Sequence, residues 1–191
     1  ASNRAQADGM IEPVEAEVRG LLGEHLFAAD SQTMPEVVGG LLRERGLSVS
    51  IYEGLTGGLA IQQVQEAAPD QFRQGVIGRQ ESVMRRLIEE HDRQISYEEL
   101  QSDEAALADR LAVAVKGRSG ADLGLAVVGI PEEGQATENL NAGRTYISVA
   151  AEWGTARRSY NFAGPGLPDR SRTAMYALDL LRTSILQSGS A

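Results

Sequence analysis

The stretch that most restricts the fold is the strand-like run Ser48-Val49-Ser50-Ile51-Tyr52, followed at once by Glu53-Gly54-Leu55-Thr56-Gly57-Gly58 and a helical pattern from Leu59. A strand that passes through a glycine-rich turn directly into a helix commits the chain to α/β architecture, because the helix packs back across the sheet before the next strand pairs. The same order gathers unpaired backbone N–H groups and the positive end of a helix dipole at one point. Two readings are open. Gly54, Leu55, Thr56, Gly57 and Gly58 form a cradle for an anion or an oxyanion, or the glycines serve only tight turning and close helix–sheet packing. The stretch lacks the Gly-Lys-Ser/Thr ending of a Walker loop and the Gly-x-Gly-x-x-Gly spacing of a dinucleotide fingerprint.

The rest of the chain alternates in the same way. From Met10, the apolar residues Ile11, Val14, Val18, Leu21, Leu22 and Leu26 recur at helical spacing, and a second helix from Pro35 carries Val37, Val38, Leu41 and Leu42 before Gly46. Phe72 to Gly78 reads as a strand and Glu81 to Glu90 as a helix. Ser102-Asp103-Glu104 signals a helix start, with Leu107, Leu111 and Val115 as its buried stripe. Leu123 to Val128 is continuously apolar, as a central strand covered on both faces should be. Residues 131–142 read as a polar loop, and a strand pair around Trp153-Gly154 follows. Pro168 opens a last helix lined by Met175, Leu178, Leu181 and Ile185. This order predicts a three-layer α/β/α sandwich with a mixed sheet, preceded by an N-terminal amphipathic helix. Residues 1–9 read as a disordered or linker end of a longer chain, residues 10–46 as a helical lead-in packed on the domain, and residues 47–191 as the α/β domain. Ligands on such sheets bind at the carboxyl ends of parallel strands, where the Gly54 and Gly129 turns both fall.

Composition narrows the chemistry. With 18 basic and 27 acidic side chains the net charge is −9, which disfavours a broad nucleic-acid or anionic-membrane surface. There is no cysteine, so thiol nucleophiles, disulfides and thiolate metal sites are excluded, and His25 and His91 are the only imidazoles. No metal or cofactor is expected. Lys116 is the only lysine. The absence of a long apolar run or signal-peptide pattern makes the cytoplasm the expected compartment.

In the order of these signals, residues 10–188 resemble the C-terminal domain of CinA, the PncC-type nicotinamide mononucleotide deamidase family. Tyr52-Glu53-Gly54-Leu55-Thr56-Gly57-Gly58 matches the family's Ala-Glu-Ser-Cys/Leu-Thr-Gly-Gly, Gly129-Ile130 its turn after the central strand, and Ala177-Leu178-Asp179-Leu180-Leu181 its last-helix pattern. The lead-in also resembles the segment joining the two domains of longer CinA proteins. The resemblance implies an amidohydrolase that converts the carboxamide of an NMN-like pyridine nucleotide to a carboxylate with release of ammonia. It implies a serine nucleophile assisted by lysine and tyrosine, a homo-oligomer, and an N-terminal CinA domain as a partner in a longer chain.

The chain departs from that pattern at the chemistry. The family serine aligns with Gly54, the tyrosine with Gly78 and the lysine with Val83, while Glu132 and Glu133 interrupt a glycine-rich loop. Losing one catalytic unit costs orders of magnitude in rate. The expectation is a domain with impaired or absent catalysis that acts in nucleotide binding, oligomerisation or partner contact. The alternative is a relocated mechanism in which Glu53 serves as general base with Thr56 or Ser82 nearby. Against it stands a helix-capping role for Glu53. Arg79 and Arg170 are candidate ligands for a phosphate or carboxylate.

Overall fold

The computed structural model describes residues 3–23, 26–28, 31–100, 103–130, 143–164 and 166–188. It divides into two compact units, Ala1–Thr33 and Met34–Ala191.

The first unit is built on helix α1, Arg4–Leu22. It opens ahead of the apolar spacing that begins at Met10, because the Asn3 side chain accepts the Gln6 N–H at 2.9 Å and caps the first turn. Residues 4–9, expected as a disordered or linker end, are therefore helical. Met10, Ile11, Val14, Val18, Leu21 and Leu22 are all exposed.

The second unit begins with α2, Met34–Arg45, earlier than the Gly46 boundary that the sequence suggests for the lead-in. Met34, Val38 and Leu42 fall on one helical face and join the same core as the sheet, which ties α2 to the domain. The chain continues through β1 Val49–Glu53, α3 Leu59–Ala67, β2 Phe72–Ile77, α4 Glu81–His91 and the short α5 Tyr97–Leu100. Then come α6 Glu104–Ser119, β3 Leu123–Ile130, β4 Arg144–Ala151, β5 Gly154–Tyr160 and α7 Leu167–Gln187. The sheet order is β2-β1-β3-β4-β5. β1 lies parallel to β2 and β3, and β4 and β5 complete the sheet antiparallel, so the expected mixed three-layer sandwich is the observed fold.

Strand alternation sorts the core into two layers. On β1, Val49 and Ile51 face α2, α3 and α7 with Leu125 and Val127 of β3. Tyr52 faces α4, α5 and α6 together with Ala126 and Val128. Helix α6 lies so close to β3 that a Cβ at Gly124 would run into the Ala112 carbonyl. On α7 the buried side holds Ala174, Ala177, Leu178, Leu181 and Ile185, while Met175, expected with them, is exposed. Trp153 does pack, and its indole N–H donates to the Ser184 carbonyl at 3.2 Å. The 131–142 loop, with Glu132 and Glu133, lies outside the described residues. No helix among the described residues is long and apolar enough to cross a membrane.

Candidate functional site

At the carboxyl ends of β1 and β3 a cavity of about 550 Å³ opens on the α4–α6 face of the sheet. Tyr52, Gly54, Val128 and Gly129 supply its sheet side; Arg79 comes from the turn before α4, Glu81 and Met84 from its first turn, Tyr97 from α5, and Glu104 and Leu107 from α6. A βα fold brings these together because helices that follow parallel strands start at the same sheet edge where the strands end.

The turn itself is organised by Glu53. Its side chain is fully buried and accepts three hydrogen bonds, from the Thr56 hydroxyl, from the Gly58 N–H at 2.7 Å and from the Ile61 N–H at 2.5 Å. The carboxylate thus fills the N-terminus of α3, where an anion is favoured by both the free donors and the dipole. Gly57 and Gly58 take φ of 68° and 98°, the left-handed conformation that lets the chain fold back over that carboxylate. The Gly58 donor, read from the sequence as part of a cradle for a ligand, and the Ile61 donor one turn of helix further on are satisfied from within the chain. Thr56 is buried with its hydroxyl committed to Glu53.

Arg170 closes the other side of the turn. From α7 its Nε and Nη2 donate to the Thr56 carbonyl at 3.0 and 2.8 Å, and its guanidinium lies against Gly57 so tightly that a Cβ there would collide with it. The geometry makes Arg170 a clamp on the backbone of the turn and separates it from Arg79, which lines the cavity. Leu55 is buried and packs against Gly129, where a Cβ would come within 2.5 Å of it. Ile130 ends β3 opposite Arg144.

Alternation carries Glu53 to the α3 side and Gly54 to the cavity side. A Cβ built on Gly54 would sit 3.3 Å from both the Tyr52 hydroxyl and the Val127 carbonyl, close but open toward the cavity, and its backbone is not left-handed. Gly78 is a neighbour: Tyr52 donates to its carbonyl at 2.6 Å, and a Cβ at Gly78 would meet a methyl of Val83 at 2.9 Å. Positions 52, 54, 78 and 83 therefore form one contiguous set across the ends of β1 and β2. Burial, with a smaller contribution from Tyr97, pushes the Tyr52 phenol well above its ordinary range, so it stays protonated and keeps donating to the Gly78 carbonyl.

At the rim, burial and then the Glu81 carboxylate hold the Tyr97 phenol above its usual value. Arg85 lies 5.3 Å from the Tyr97 ring centroid and bonds to Glu81 at 2.6 Å and to Glu98. Lys116 cannot serve the cavity. It sits three turns along α6 from Glu104, about 18 Å of helix rise, with its Cβ against Gly124 at the far end of β3. Ser82 is exposed on α4. No group of three or more potential metal ligands occurs among the described residues. Tyr52, Glu81, Met84, Tyr97, Glu104 and Leu107 were not singled out from the sequence as site residues. Tyr52 carried a usable signal, since it shares the strand face of Gly54, two positions away.

A mixed α/β/α sandwich with a cavity at the carboxyl ends of its parallel strands is a fold class with many functions. Residues 31–185 match the model of the CinA C-terminal domain, and the chain belongs to that family. A CinA-like protein of Thermosynechococcus vestitus is 34% identical over 192 residues, covering 97% of this chain and 45% of that protein. A putative competence-damage inducible protein of Caldicellulosiruptor saccharolyticus is 31% identical, again over 97% of this chain and 45% of the relative. The chain spans about half the length of the curated relatives it matches. Among solved structures, a CinA superfamily protein of Klebsiella pneumoniae superposes with a TM-score of 0.66 at 19% identity, covering 82% of this chain and 99% of that one. The competence/damage inducible protein of Agrobacterium tumefaciens gives 0.64 at 19% identity, covering 84% and 100%. At that identity the two share the fold.

Proposed function

We propose that this CinA C-terminal domain retains a cavity for a pyridine nucleotide and has lost the amide-hydrolysing machinery that its family resemblance implies. The observation that carries this reading is the division of labour at the turn. The residue aimed at the cavity is Gly54, which has no side chain, while the Glu53 carboxylate lies on the opposite face with its donors already chosen. A hydrolase of this kind needs a hydroxyl, a neighbouring base and an oxyanion site at one reacting carbon. Positions 54, 78 and 83 offer two glycines and a valine instead. The contact of Gly78 with Val83 supports the alignment, since it puts the places of the family's tyrosine and lysine side by side. The relocated mechanism is disfavoured by the same geometry, because Glu53 and Thr56 bond to each other within the turn.

Arg79 offers a cation for a phosphate at the cavity, and Glu81 and Glu104 suit a ring that carries positive charge. The test pairs binding with turnover. NMN should raise the melting temperature of the purified protein while ammonia release stays at the level of a protein-free control. Ammonia production that tracks enzyme concentration would refute the loss of chemistry. A melting temperature indifferent to NMN, nicotinamide and nicotinate mononucleotide would sink the binding half.

A further inference from the structure

The charged lining of the cavity divides into side chains that are already paired and side chains that are not. Glu81 accepts from Arg85 at 2.6 Å, and the same guanidinium bonds to Glu98 and lies beside the Tyr97 ring, so the Glu81 charge is compensated from within the chain. Arg79 and Glu104 differ. Among the described residues neither side chain holds a hydrogen bond or an ion pair, with the other or with any neighbour. Glu104 is not needed as a cap for α6, because Asp103 accepts the Ala106 N–H at 2.9 Å and fills that role. Two opposite charges that line one cavity and stay apart suit a ligand carrying both signs. Their surroundings assign the ends. Arg79 is exposed in the turn before α4, where a phosphate keeps part of its water. Glu104 is half-buried on the same face of α6 as the buried Leu107, and Met84, Tyr97 and Val128 complete an apolar wall that suits a flat ring.

We propose that Glu104 makes the cavity selective for the oxidised, positively charged pyridinium form of a nucleotide over the reduced, uncharged dihydropyridine form. This selectivity rests on the pyridine-nucleotide reading of the cavity and adds to it the property that the site distinguishes. The two forms share their size, carboxamide and phosphate and differ in the charge of the ring. Arg79 and the apolar wall therefore serve both alike, and the uncompensated carboxylate tells them apart. Beside a pyridinium, Glu104 gains an opposite charge in a site half-closed to water, worth about tenfold in affinity. Beneath a dihydropyridine it loses water and gains no partner, which adds to the difference. A domain with this preference reports whether the nucleotide is oxidised, a task that needs no hydrolysis of the amide.

Titration calorimetry on the full chain at low salt tests it, with NMN and its dihydro form as the two probes. NMN should bind about tenfold more tightly, and Glu104→Gln should bring the two affinities within about twofold of each other, chiefly by weakening NMN. Glu104→Asp, which keeps the charge, should retain a preference for NMN. Glu44→Gln, exposed on α2 in the opposite layer, removes the same single charge from a chain of net charge −9 and should leave the ratio unchanged. Circular dichroism confirms that each variant is folded. Equal binding of the two forms by the wild-type chain would overturn the selectivity and leave the nucleotide reading standing. A preference for NMN that survives in folded Glu104→Gln protein would overturn the role of Glu104. Binding of neither form would sink the nucleotide reading and the selectivity with it.

Discussion

Replacing Glu53 by glutamine tests the turn most directly, because it keeps the shape of the side chain and changes only what it can accept. The Oε2 position serves Thr56 and Gly58, so the glutamine oxygen takes that place and its NH₂ faces the Ile61 N–H, donor against donor. One hydrogen bond to a charged acceptor is lost, worth about 1.5–3 kcal/mol, and a buried donor is left without a partner. The two remaining bonds fall from charge-assisted to neutral strength, roughly another 1 kcal/mol together. The expected loss is about 2–4 kcal/mol, a large share of a typical total stability of about 5–15 kcal/mol. For a chain of this size that is a fall in melting temperature of roughly 4–16 °C. Urea unfolding followed by circular dichroism measures it, with the m-value expected to stay constant. NMN binding should change far less, since the carboxylate lies on the other face of the strand. A Glu53→Gln protein within about 0.5 kcal/mol of wild type, the spread of an ordinary surface substitution, would falsify the cap. So would a protein of wild-type stability that loses a measurable amidase activity, because that pattern belongs to a general base.

Three further outcomes follow from the same geometry. Arg170→Lys should destabilise nearly as much as Arg170→Ala, by about 1–3 kcal/mol in thermal unfolding, because one ammonium cannot reproduce the two-pronged donation to the Thr56 carbonyl. Restoring the family residues should need four changes, Tyr52→Ala as well as Gly54→Ser, Gly78→Tyr and Val83→Lys, because the Tyr52 phenol already lies 3.3 Å from where a Cβ at 54 would be; Gly78→Tyr alone should cost about 1–3 kcal/mol from its collision with Val83, read in urea. At the opposite end of the sheet, the Ser48 hydroxyl donates to Asp122 at 2.6 Å and holds that carboxyl below its ordinary value. A depressed native value means that its contribution to stability is complete above the unfolded value of about 3.9 and is lost as pH falls through the lower native one. Ser48→Ala should therefore raise the Asp122 titration midpoint seen by NMR, partway only, since the Ser48 N–H still donates at 2.8 Å. An unmoved midpoint would exclude the hydroxyl as the cause.

The layers and the order of elements were legible because they rest on period. The continuous apolar run at 123–128 could only be a strand covered on both faces, and β3 is the middle strand of the sheet. Where local signals competed with packing, the sequence was less informative. Met175 shares helical spacing with Leu178, yet Ala174 and Ala177 take the buried side of α7, because small residues let the helix approach the sheet. Tyr97, on a helix of four residues, leaves no periodic trace and still forms a wall of the cavity.

By itself the sequence determined the mixed α/β/α sandwich and the cavity edge near Gly54 and Gly129, consequences of periodicity and of glycine placement along the chain, while the order of its motifs carried the resemblance to the CinA C-terminal family. Only the tertiary structure decided what the turn does. Facing is a property of neighbouring elements: α3 presents its free N–H groups to Glu53, α7 sends Arg170 to the Thr56 carbonyl, and the strand pleat turns Gly54 the other way. A run of residues that reads as a cradle for a ligand is a site already filled by its own carboxylate, and the open space lies one residue along, on the other side of the sheet.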